Sequence, residues 1–107
     1  MSLPHHRLIA WQRADDLFVQ LHYLTWQKFP PRDRFELGGQ IRRAAYPVAA
    51  NLVEGNARHG QRDQLRFFNI AAASLAEAGY GIHAAYRLGY FSDSRYATLA
   101  LLIVAAL

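Results

Sequence analysis

The 107-residue chain contains no cysteine, which excludes disulfide bridges, thiolate metal sites, thiol redox chemistry and cysteine nucleophiles together. It also has no period-two alternation of apolar and polar residues, so no strand is expected, and no internal repeat, low-complexity run or flexible linker. The opening Met1-Ser-Leu-Pro-His-His-Arg7 lacks a basic start followed by an apolar run, and no apolar stretch is long enough to span a bilayer. A soluble cytoplasmic protein with no membrane contact is the expectation. His5, His6, His22, His59 and His83 form no His-x-x-x-His or Glu-x-x-His pair, so no metal site is expected. Gly55-x-x-x-x-Gly60 is not followed by Lys-Ser/Thr and no strand precedes it, so it is not a phosphate loop. Asp15 and Asp16 are adjacent and point apart on a helix, and no Ser, His and Asp stand in a nucleophile arrangement. Neither an enzyme nor a cofactor is expected.

What remains is mostly apolar and basic. With 52% apolar residues, a chain of this length supports a single domain, residues 1–107, around one core. Twelve basic residues against eight acidic give a net charge of +4, and eleven of the twelve are arginine. Arginine suits forked contacts with phosphate or carboxylate, so charge alone raises RNA or DNA as a partner without specifying it.

Four helical segments follow from the spacing of apolar residues. Ala10, Ala14, Leu17, Leu21 and Leu24 form an amphipathic stripe over residues 8 to about 29, stopped by Pro30-Pro31. Asp33 with Glu36 resembles a capping box ahead of a second helix, 37–54, with Gly55 as its left-handed cap. A third helix runs over 61–88 for about 40 Å at 1.5 Å per residue, ends at Gly89, and leads through Ser92 or Asp93 to a short fourth, 94–107. The fold class is all-α, an up-down-up-down four-helix bundle whose second helix is kinked at Pro47. Residues 99–107 leave no polar face on the fourth helix. Such a helix must be covered all round, by another subunit or by a polar continuation of the chain.

Two polar constellations stand out. Arg43, Asn51 and Glu54 share one face of the second helix with Pro47, and Ser74 and Glu77 share a face of the third. An ion-pair and hydrogen-bond network that orients the two helices is the structural expectation, with an acid/base role for Glu54 and Glu77 as the distant alternative. Arg58, Arg62 and Arg66, spaced four apart at the start of the third helix and joined by Arg42, are the candidate phosphate contacts.

The chain resembles the four-helix-bundle family encoded within intervening sequences of bacterial 23S ribosomal RNA genes, a family related to the accessory variability proteins of diversity-generating retroelements. The resemblance rests on Trp11-Gln12, Phe29-Pro30, Gln40-x-Arg42-Arg43-Ala44-Ala45, Asn51-x-x-Glu54-Gly55, Arg58, Phe68-x-Ile70-Ala71, Ser74-x-x-Glu77 and Leu88-Gly89-Tyr90. It implies a homo-oligomeric ring, typically a pentamer, with a basic surface toward nucleic acid and no enzymatic activity. The family usually carries Ser near Tyr46 and a longer, more polar final helix, from which this chain departs. A non-enzymatic oligomeric bundle that meets nucleic acid through arginines is the expected function, and a protein-interaction scaffold is the alternative.

Overall fold

The computed structural model describes residues 4–106, so Leu107, the last residue of the expected fourth helix, lies outside the described residues. A 3-10 turn, Pro4–Arg7, leads into α1 (Ile9–Gln27), α2 (Pro31–Phe35), α3 (Leu37–Ala57), α4 (Gln61–Arg87) and α5 (Asp93–Ala105). The four long helices are those the apolar spacing predicts. Helix α1 packs on α3 and α5, and α4 packs on α3 and α5, so the order around the bundle is α1, α3, α4, α5. Leu17, Leu21, Ile41, Val48, Leu75, Ile82 and Leu99 supply one continuous core from all four.

The turns differ from expectation in ways that matter for the site. Pro31 does not merely stop α1. It occupies the first position of the one-turn α2, where the missing N–H is no loss. Asp33 therefore sits inside a helix and is not the cap of α3, whose N-terminus has no side-chain cap. Its carboxylate instead accepts a hydrogen bond from the Tyr90 hydroxyl, tying α2 to the α4–α5 turn. Gly55 is likewise not a left-handed cap. Among the described residues only Gly89 has positive φ, at 83°, and α3 continues through Gly55 to Ala57.

Small residues set the separation of α3 and α4. A Cβ on Gly55 would stand 2.6 Å from Phe68 Cε1, and one on Gly81 would stand 2.6 Å from Ile41 Cγ1. Pro47 lies within α3 without ending it, and Asn51 Nδ2 donates to the Pro47 carbonyl at 2.8 Å. At the far end of α4, Gly89 takes the expected left-handed conformation, with Tyr90 N donating to Ala85 O at 2.9 Å. Ser92 then caps α5 by accepting from Arg95 N at 3.1 Å.

Helix α5, 13 residues against 27 in α4, covers only part of its neighbour. It ends beside an apolar pocket of about 260 Å³ lined by Leu52, Phe68, Leu75 and Ala106, among others. Leu99 is buried, but Leu101 and Val104 are 71% and 64% exposed, so the other described residues leave the apolar end of α5 uncovered.

Candidate nucleic-acid interface

The α3–α4 turn places three of the four expected arginines together. Arg58 follows the last residue of α3, in extended conformation, and Gln64 Nε2 donates to its carbonyl at 3.0 Å, which fixes the turn. Gly60 opens α4 without a side-chain cap, so the first N–H groups of α4 face outward near Arg62. Arg58, His59, Gly60, Gln61 and Arg62 are all exposed.

Phe67 organises the cluster. The Arg58 guanidinium lies over its ring at 4.8 Å from the centroid and the Arg66 guanidinium at 4.7 Å, so one aromatic side chain braces two cations. Each also has a carboxylate neighbour: Glu54 Oε2 is 3.1 Å from Arg58 Nη2, and Asp63 Oδ1 is 3.5 Å from Arg66 Nε. Both pairs are solvent-exposed, where such contacts contribute about 0–1 kcal/mol. They trim the positive charge and leave it in place. Arg62 forms no ion pair among the described residues.

Arg42 does not join them. It lies sixteen positions before Arg58, about 24 Å away along the α3 axis. Its guanidinium donates to Thr25 Oγ1 at 2.6 Å and to the Arg34 carbonyl at 2.8 Å, and stacks on Trp26 at 4.1 Å. Partial burial, and then the neighbouring charge of Arg43, lowers its pKa below the usual arginine value. It braces α1, α2 and α3, a role concealed in sequence because it depends on the path of α2.

The expected five-residue network is also not formed. Among the described residues, no hydrogen bond or ion pair joins any two of Arg43, Asn51, Glu54, Ser74 and Glu77. Asn51 bonds within its own helix, Glu54 turns to Arg58, and Arg43 and Glu77 are exposed. The physical reason is the seam itself. Gly81 against Ile41 and Gly55 against Phe68 bring α3 and α4 together through apolar contact, which pushes the polar side chains to the outside.

A groove between α1 and α3 was not anticipated. One open hollow of about 380 Å³ is lined by Phe18, Gly39, Arg42, Arg43 and Tyr46. It adjoins a second of about 340 Å³ that shares Phe18 and Tyr46 and reaches Trp11 and Val53. Glu77 lies elsewhere, in a cleft with Gln40, Ile41 and Tyr80, while Glu54 is near the other end of α3. Among the described residues no three His, Asp or Glu side chains converge as metal ligands would, and no helix is long and apolar enough to cross a membrane.

No curated protein matches the chain. The family model of the 23S rRNA-intervening sequence proteins matches residues 6–105, taking in the four long helices and the turns that join them, and the chain belongs to that family.

Proposed function

We propose that the protein is a non-enzymatic, self-associating helical bundle that contacts nucleic-acid phosphates through Arg58, Arg62 and Arg66. The observation that carries the proposal is the exposed turn in which Phe67 braces two of these guanidiniums and Arg62 projects beside them without an ion pair. Such an arrangement suits the phosphate backbone of RNA or DNA, and Phe67, already engaged by two arginines, is not free to stack on bases. A cytoplasmic setting fits this partner.

Self-association is supported by apolar surface on two opposite sides of the bundle. Val19, Tyr23 and Tyr46 are exposed on α1 and α3, and Tyr80, Leu101 and Val104 on α4 and α5. Burying one such side chain contributes about 1.5–3 kcal/mol. Because the two patches differ, copies cover both by stacking head to tail, and a closed ring is the finite outcome. The resemblance in sequence makes five the subunit number we propose. The scaffold alternative, with these faces serving another protein and no nucleic acid, draws on the same exposed patches.

Binding of labelled RNA and DNA across a salt series tests the phosphate contact. Each phosphate neutralised contributes about 0.7–0.9 to the slope of log K against log salt, so Arg62→Ala with Arg66→Ala should lower the slope by about 1–2. Arg42→Ala should leave it unchanged. Absence of binding at low salt would favour the scaffold, and tight binding indifferent to salt would count against the arginine–phosphate contact.

A further inference from the structure

We propose that the α1–α3 groove of one copy receives the outer ridge of α4 from the next, with Tyr80 seated in the hollow against Phe18 and Tyr46 and Glu77 paired to Arg43 across the seam. The inference rests on the assembly reading above and adds the two surfaces and the contact that selects them.

Charge complementarity is the first support. Arg42 and Arg43 lie side by side at the hollow, and neither has a carboxylate within ion-pair distance among the described residues. Arg42 is satisfied by neutral acceptors, Thr25 Oγ1 and the Arg34 carbonyl, so both positive charges stand uncompensated. Glu77 is exposed on α4 and forms no ion pair either. A single chain therefore presents unpaired charges of opposite sign, one beside each apolar surface.

Height along the bundle is the second. Helices α3 and α4 run antiparallel, with Gly81 against Ile41 and Gly55 against Phe68, which places Arg43 level with Gly79 or Tyr80. Glu77 is two to three residues away, within about 5 Å of the same height at 1.5 Å per residue. Tyr46 falls level with Ala76 or Glu77 by the same register. A ring whose axis follows the bundle preserves these heights from one copy to the next, so groove and ridge meet without sliding.

Shape is the third. Tyr80 is 72% exposed, the most exposed large apolar residue described, and the hollow of about 380 Å³ is walled by Phe18 and Tyr46, whose rings are 5.7 Å apart. Its hydroxyl end would meet Arg42 and Arg43 while its ring packs on the aromatic wall.

Sedimentation velocity across a concentration series, on the full chain, tests the seam. Arg43→Glu and Glu77→Arg should each weaken assembly by about tenfold or more, because like charges then face each other, and the combined variant should recover most of the loss. Tyr80→Ala should weaken assembly without a charge change. All three positions are exposed, so circular dichroism should report unchanged helicity. Single variants with undiminished assembly would overturn the seam, as would an Arg43→Glu variant that loses only nucleic-acid binding. A combined variant no better than the worse single one would overturn the pairing. Wild-type protein that stays one chain at every concentration would instead overturn the assembly reading on which the seam rests.

Discussion

Gly79 and Gly81 sit two residues apart on α4 and do opposite work. A Cβ at Gly81 would lie 2.6 Å from Ile41 Cγ1, an atom close to its own backbone with little room to retreat. Gly81→Ala should therefore destabilise the bundle by about 1–3 kcal/mol despite the better helix preference of alanine. A Cβ at Gly79 would find only Ile103 Cδ1, at an ordinary 3.8 Å, so Gly79→Ala should stabilise by up to about 1 kcal/mol. Denaturant unfolding of the two variants checks the difference in sign. Neighbouring arginines show the same dependence on facing. Arg42 is drawn inward by Thr25, Arg34 and Trp26, while Arg43 remains exposed, and neither role follows from residue type.

Around the α4–α5 turn, two tyrosines latch separate helices. Tyr86 donates to Asp93 Oδ1 at 2.7 Å and stacks on Tyr96 at 4.2 Å, while Tyr90 donates to Asp33 on α2. The hydrogen bond to Asp93 first, and then the carboxylate charge, raises the Tyr86 pKa. The hydrogen bond to Asp33 first, and then burial, raises that of Tyr90. A raised folded-state value means that the protonated phenol favours the fold. That contribution is complete below the unfolded tyrosine value of about 10 and is lost as pH rises through the higher folded-state values. The thermal midpoint should fall as pH rises above about 10, and Tyr86→Phe with Tyr90→Phe should flatten the decline. A decline of the same size in that variant would count against the latch.

The molecule measures 44 × 23 × 23 Å, with α5 too short to cover the length of α4 and with apolar residues open on opposite sides. Association then becomes part of stability. If copies shield one another, the folded state is favoured by mass action, and the thermal midpoint should rise with protein concentration. A midpoint constant over a hundredfold range, about 2.7 kcal/mol of mass action, would argue for a stable single chain.

The order of the four long helices and the faces they turn to the core follow from spacing alone, because Leu17, Leu21, Val48, Leu75 and Leu99 recur with the helical period and burial is local to each turn. Family membership was legible too, since its motifs are carried in order along the chain. The polar residues behaved otherwise. Whether Arg42 braces three helices or meets a ligand, whether Gly55 caps a helix or admits Phe68, and whether Glu77 faces Arg43 or water depend on distances between segments far apart in sequence. Apolar burial tolerates an ångström of displacement, whereas a hydrogen bond or ion pair does not. For that reason the core could be read from the order of residues, and the charged surface only once the helices stood beside one another.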